Sequence, residues 1–181
     1  MPAAPTDRNF ALPPLRKAAT VAAWGLGAGV PAFVAIVLGL AARGGELDPL
    51  VAIAIQGVLA LVIVVALVPL LRRRVAFDGR RLRVEATIYT REAPVSDFDL
   101  AAARVVDLRE RGELRPAVKT NGFDLPGFRA GHFRLSDLKR KAFCLVTDPA
   151  RVLALPHADG RVWLLSFEHP QAVLDILRRA A

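Results

Sequence analysis

The residues best suited to chemistry are three histidines and one cysteine, and their spacing matches no catalytic or metal-binding motif. His132, His157 and His169 do not stand at the spacings that bind zinc or mark a metalloprotease. Cys144 is the single cysteine, so an intramolecular disulfide is excluded. It lies in the apolar stretch Ala142–Val146, which favours a buried thiol. The phosphate-binding loop of nucleotide hydrolases and the nucleophile elbow of acyl hydrolases are both missing from the sequence. We therefore expect no catalytic residue, no cofactor and no metal ion.

His132 keeps one enzymatic alternative open. It lies in a glycine-rich segment with Asp124 and Asp137 nearby in sequence, where a general base could be placed. Strand alternation and an exposed loop explain these three residues equally well. An uncharacterised enzyme centred on His132 is therefore kept as the last of three functional hypotheses.

Two long apolar runs occupy the first part of the chain. Residues 18–42 and residues 49–71 contain no charged side chain, and they count 25 and 23 residues. At about 1.5 Å of rise per residue each would reach roughly 35 Å, against about 30 Å for the hydrocarbon core of a bilayer. The sequence therefore predicts a two-helix transmembrane hairpin whose helices are joined by an external loop at residues 43–48.

Basic residues on both sides of the predicted hairpin indicate its orientation. The intervening loop has Arg43 beside two acidic residues, whereas both flanks are strongly basic. The flanking basic residues are Arg8, Arg16, Lys17, Arg72, Arg73 and Arg74. The positive-inside rule then places both termini in the cytoplasm. We expect a multi-pass membrane protein with a cytoplasmic N-terminal segment (1–17) and a cytoplasmic domain (72–181).

The region from residue 72 onward is predicted to be mainly β. Apolar residues alternate with polar ones from Leu82 to Ile88, and Asp78–Gly79 just before them is a hairpin turn signal. A helix with an apolar face is predicted after Pro170. Further strands are predicted at residues 103–108, 131–135, 141–147, 151–155 and 161–167. About seven antiparallel strands capped by a C-terminal helix would form a small bent barrel or sandwich.

The segment from Thr120 to Leu135 is the most distinctive part of this region, because it combines two turns with interleaved aromatic residues. Its turn and core positions are Asn121, Gly122, Leu125, Pro126, Gly127, Gly131 and Phe133, followed later by Thr147, Asp148, Ser166 and Pro170. This pattern resembles the bacterial pleckstrin-homology-like domains of small membrane proteins. The resemblance implies a seven-stranded, strongly bent sheet closed by the C-terminal helix. It also implies that the predicted membrane is the bacterial inner membrane. It bears on fold more than on chemistry.

The charge of the domain suggests what it binds. From Arg72 onward the chain holds 21 Lys and Arg residues against 14 acidic ones, a net charge of about +7. The best candidate for contact with an anion or lipid is the triplet Lys139, Arg140 and Lys141. Our first hypothesis is a membrane-anchored, non-catalytic binding or assembly module that recruits a protein partner or self-associates as a homo-oligomer. The alternative is a peripheral sensor of anionic phospholipid through residues 139–141. We expect no nucleic-acid partner.

Overall fold

The protein is described by a computed structural model that covers residues 8–15, 17, 21, 25–45, 48–67, 72–110 and 112–181. The chain divides into two compact units. Residues 17–71 form the helical unit, and residues 1–16 together with 72–181 form the β-rich unit.

The helical unit consists of a π-helical turn, Gly25–Gly29, followed by helices α1 (Val30–Arg43) and α2 (Pro49–Leu67). The side-chain amide of Gln56 on α2 donates a hydrogen bond of 3.0 Å to the Pro31 carbonyl on α1. Most of the large apolar side chains remain exposed, with Leu50 at 76% and Ile53 at 68%. The two helices therefore bury little of their apolar surface against each other.

The predicted transmembrane hairpin is wrong. Over the residues that the structure describes, no helix has both the length and the hydropathy needed to cross a bilayer. Helix α1 has 14 residues, which correspond to about 21 Å against about 30 Å for a bilayer core, and α2 has 19 residues. Residues 18–20, 22–24 and 68–71 of the predicted spans lie outside the described residues.

Several other predictions depended on the two spans. The predicted integral membrane partner, the external loop at 43–48 and the multi-pass inner-membrane location with cytoplasmic termini all depended on two spanning helices. These predictions are withdrawn with the spans.

A four-stranded antiparallel sheet begins the β-rich unit. Its strands are β1 (Arg8–Asn9), β2 (Arg73–Phe77), β3 (Arg81–Ala86) and β4 (Tyr89–Pro94), hydrogen-bonded in that order. The predicted hairpin turn is present, because Phe77 pairs with Leu82 across Asp78–Gly79. The Asp78 carboxylate accepts the backbone N–H groups of Arg81 and Arg80, and these bonds lower its pKa. The predicted strand ends earlier than expected, since Ile88 lies in the turn before β4.

A second sheet has six strands. They are β5 (Arg104–Val106), β6 (Pro116–Leu125), β7 (Phe128–Leu135), β8 (Lys141–Val146), β9 (Val152–Pro156) and β10 (Val162–Ser166). Their order is β5-β9-β10-β8-β7-β6, and β8 and β10 are parallel. The expected seven-stranded, all-antiparallel arrangement is therefore wrong. Strands β8 and β9 are consecutive in sequence but are not neighbours in the sheet, because β10 lies between them.

The core lies on both faces of this six-stranded sheet. Phe133, Cys144 and Leu164 belong to an apolar cluster on one face, and Phe143 and Leu165 are as fully buried as these. The predicted C-terminal helix is present as α3 (Pro170–Ala180), whose residues Val173, Leu174 and Leu177 are buried. The sheet is thus a rigid platform, and the residues at its rim are positioned by strand register.

Candidate anion-binding site

The glycine-rich segment singled out in the sequence forms the β6–β7 hairpin. Leu125 pairs with Phe128 across the turn Pro126–Gly127, where Gly127 has φ +80°, as the third residue of a type II turn requires. Gly122 pairs directly with Gly131 further along the hairpin. The remaining predicted motif positions, Asn121 and Phe133, also lie on these two strands. Of the two turns predicted in this segment, the one at Pro126–Gly127 is present, and the one at Asn121–Gly122 is wrong because both residues lie within β6.

Gly131 brings the hairpin close to Tyr89 of the other sheet. It has φ +109°, and a Cβ there would lie 2.6 Å from the Asn121 carbonyl oxygen and 3.0 Å from the Tyr89 ring. The Tyr89 hydroxyl donates a 2.6 Å hydrogen bond to Oδ1 of Asn121. The Tyr89 ring also meets the His132 ring edge to face at 5.7 Å. These contacts fix the position of the Asn121 amide and of the His132 imidazole.

Register then defines one row of side chains across the sheet. Asn121 pairs with His132, His132 with Phe143, and Phe143 with Trp163. The ring centroids of His132 and Phe143 are 5.3 Å apart, as are those of Phe143 and Trp163. An aromatic row therefore supports His132 from the side of the core.

Basic side chains occupy the next row on the same face. Arg134 of β7 pairs with Lys141 of β8, and Arg161 stands beside them just before β10. Arg91 of β4 lines the same cavity from the other sheet. The cavity has a volume of about 340 Å³ and is lined by Arg91, Thr120, Asn121, His132, Phe133, Arg134, Lys141, Ala142 and Arg161. We call the four cations and His132 the basic pocket.

The positive charge of the basic pocket is only partly balanced. Arg161 lies 3.4 Å from the Asp159 carboxylate, and Arg134 donates to the Leu138 carbonyl at 3.0 Å. Among the described residues, Arg91 and Lys141 form no ion pair, and the lining includes no carboxylate. A concave surface with unbalanced cations attracts anions.

The surroundings of His132 disfavour its charged form, so the ring brings a neutral hydrogen-bonding group to the pocket rather than a fifth positive charge. Burial lowers its pKa below the usual value, and the nearby charges of Arg91 and Arg161 lower it further. The two acids that could have assisted it are engaged elsewhere: Asp124 is paired with Arg129 at 2.9 Å, and Asp137 with Arg140 at 2.5 Å. Neither acid lines the pocket.

The structure separates the predicted basic triplet. Lys141 joins the basic pocket, whereas the Arg140 guanidinium is held by Asp137 and by the Glu113 carbonyl at 3.4 Å. The backbone N–H of Lys139 donates to Asp137 at 3.0 Å, and its exposed side chain does not line the cavity. One residue of the three is thus placed to bind an anion in this pocket.

Sequence reasoning missed Arg91, Arg134 and Arg161, which come from distant parts of the chain. The alternation of His132 and Arg134 along β7 is the signal that could have identified one of them, because residues two apart share a face.

The cysteine and the other two histidines lie outside the basic pocket. Cys144 is fully buried, and burial raises the pKa of its thiol, so it is not a nucleophile at neutral pH. His157 stacks on Trp163 at 5.8 Å, and His169 directly precedes α3. Within the described ranges, no group of three or more His, Cys, Asp or Glu residues could hold a metal ion.

Comparison of the chain with protein-family models, with curated proteins and with solved structures gave no match.

Proposed function

We propose that the β-rich unit is a non-catalytic binding module that recruits a protein partner through the basic pocket. The observation that carries this proposal is the convergence of four cations from both sheets on a cavity lined by no carboxylate among the described residues. The resemblance of the segment around Asn121 and Phe133 to pleckstrin-homology-like domains agrees with a binding role. The partner is expected to present acidic or otherwise anionic groups.

The energetics favour a partner with several negative charges. A single ion pair in water contributes about 0.2–1 kcal/mol, so one contact with an exposed cation gives little affinity. Four cations around one cavity act on the same ligand, and those contributions accumulate. Two of them, Arg91 and Lys141, form no ion pair with a described residue, so no such pair has to be broken on binding.

The test uses a fluorescently labelled oligoglutamate peptide and the full chain. Binding is measured by anisotropy for the wild type, Lys141→Gln and Lys139→Gln. The two variants remove the same charge two residues apart, but only Lys141 lines the pocket. We expect Lys141→Gln to weaken binding about twofold to fivefold, and Lys139→Gln to leave it nearly unchanged. Equal affinities for the two variants would contradict the proposal.

Self-association is the second candidate, and strand β6 favours it. This strand is the outer member of its sheet, and its exposed residues include Val118 at 46%. An open edge can accept a strand from another chain. However, the pairing of β6 with β7 shifts register twice, between Pro116 and Val118 and between Lys119 and Asn121. Such bulges reduce edge-to-edge pairing, so partner recruitment ranks first.

Light scattering over a range of protein concentrations tests the second candidate. A mass that rises with concentration in the wild type, and that falls when Val118→Lys is introduced at the β6 edge, would support self-association. A constant monomer mass would exclude it. The basic pocket plays no part in this measurement, so the two candidates are separable.

A further inference from the structure

We propose that the basic pocket binds a phosphate monoester, an inference that rests on the proposed function and names the chemical group it recognises. The group would be carried by a small molecule or by a phosphorylated side chain of the partner, and the phosphate contacts are the same in both cases.

The spacing of the cations matches a ligand with several oxygens. Arg134 and Lys141 are directly opposite each other on β7 and β8. Opposite residues have Cβ atoms about 4.5–5.5 Å apart, so both side chains can reach one group. Arg161 lies just before β10, the strand next to β8, and Arg91 of β4 lines the cavity from the other sheet. A phosphate monoester offers three terminal oxygens and a charge of about −1.5 to −2, whereas a carboxylate offers two oxygens and a single charge.

Guanidinium groups make up three of the four cations. Each presents a planar fork of N–H donors that fits two phosphate oxygens at once. Arg134 is already anchored by its hydrogen bond to the Leu138 carbonyl, so less side-chain freedom is lost when it binds. The pocket thus favours a tetrahedral anion that several forks can share.

The pocket also contains neutral donors. The Tyr89 hydroxyl donates to Oδ1 of Asn121, and this bond leaves the Nδ2 hydrogens of the amide available. The His132 imidazole lies beside it in the same row of the sheet. The cavity of about 340 Å³ is larger than a phosphate group alone, which leaves room for the organic part of an ester.

The test compares three labelled peptides that differ at one central residue, which is phosphoserine, glutamate or serine. The full chain is titrated with each, as wild type, Lys141→Gln, Lys141→Arg and Lys139→Gln. We expect the phosphoserine peptide to bind about tenfold more tightly than the glutamate peptide. Lys141→Gln should remove most of this preference, Lys141→Arg should retain it, and Lys139→Gln should behave as the wild type.

Three further probes identify the source of the phosphate. Inorganic phosphate and O-phosphoserine are added as competitors, and vesicles containing phosphatidic acid are tested by co-sedimentation. Competition by free O-phosphoserine as strong as that by the peptide would indicate a small-molecule ligand, and stronger binding of the peptide would indicate a phosphorylated partner. Either result supports the inference.

The outcomes that overturn the inference are distinct from those that overturn the proposed function. Equal binding of the glutamate and phosphoserine peptides, with both lost in Lys141→Gln, would reject the phosphate assignment and leave an anion-binding module. Binding to vesicles without binding to any soluble phosphate would also reject it. Binding that is undetectable for every probe, or unaffected by Lys141→Gln in a variant with native circular dichroism, would reject the proposed function as well.

Discussion

Four glycine-to-alanine substitutions separate steric contact from backbone strain in the β-rich unit. At Gly122 an added Cβ would lie against the Ala130 carbonyl oxygen, well inside van der Waals contact, whereas φ is not positive. Gly79 has φ +94° but open space around it. Gly131 combines both restrictions, and Gly112 has neither. The set therefore tests the close approach that holds the β6–β7 hairpin against Tyr89.

The expected changes in the free energy of unfolding follow from these two restrictions. Gly112→Ala should stabilise the unit by about 0.4–1 kcal/mol, because alanine reduces the entropy of the unfolded chain. Gly79→Ala should cost about 1–2 kcal/mol from its left-handed backbone. Gly122→Ala should cost about 1–3 kcal/mol from overpacking against a backbone that strand pairing holds in place. Gly131→Ala should cost about 2–5 kcal/mol, since both effects act there.

Urea unfolding followed by tryptophan fluorescence measures these differences. The chain has two tryptophans, and a Trp24→Phe background leaves Trp163, which is 4% exposed, as the reporter for the β-rich unit. The predicted order of destabilisation is Gly131, Gly122, Gly79 and then Gly112. Equal stability of the Gly131→Ala and Gly112→Ala variants would refute the packing of the hairpin described above.

Three other predictions concern single side chains. Tyr89→Phe removes the hydrogen bond to Asn121 and should cost about 0.5–1.5 kcal/mol in urea unfolding, together with a measurable loss of anion affinity; an unchanged affinity would show that the Asn121 amide is not part of the site. Ser166→Ala should cost about 1–3 kcal/mol, because the buried hydroxyl accepts the N–H groups of Thr147 and Asp148, and a loss below the experimental error would contradict this role. Because the pKa of His132 is lowered in the folded state, the unfolded protein binds more protons near and below pH 6.5, so the stability of the fold should fall as the pH decreases through this range. In thermal melts at a series of pH values, His132→Gln should flatten that part of the stability profile, and an unaltered profile would refute this role of His132.

Local features of the fold could be predicted from the sequence. The turns at Asp78–Gly79 and Pro126–Gly127 follow from residues whose backbone preferences act over two positions. The C-terminal helix follows from a proline at its start and an apolar face including Val173 and Leu177. Each of these signals is contained in a few consecutive residues.

Features that depend on distant contacts could not be predicted. Alternation shows which face of a strand is buried but does not show its neighbours, so the insertion of β10 between β8 and β9 was missed. The apolar runs predicted two spanning helices, but no helix among the described residues has both the length and the hydropathy to cross a bilayer.

In the candidate site, too, single residues could be predicted from the sequence, but their convergence could not. His132 and Lys141 were identified separately, and only the register of β7 with β8 brings them into one cavity. Arg140 was grouped with Lys141 because they are consecutive, yet alternation and the contact with Asp137 direct it elsewhere. Adjacent charges in a sequence are thus a poor guide to convergence, while polar residues two apart on one strand, such as His132 and Arg134, are a better one.

Isothermal titration of the phosphoserine peptide into the full chain is the most direct test of the basic pocket as the binding site. The wild type, Lys139→Gln and Lys141→Gln are compared under the same salt conditions. Binding by the wild type and Lys139→Gln, with about tenfold weaker binding by Lys141→Gln, is the predicted result. Identical isotherms for all three proteins would contradict the assignment of the pocket.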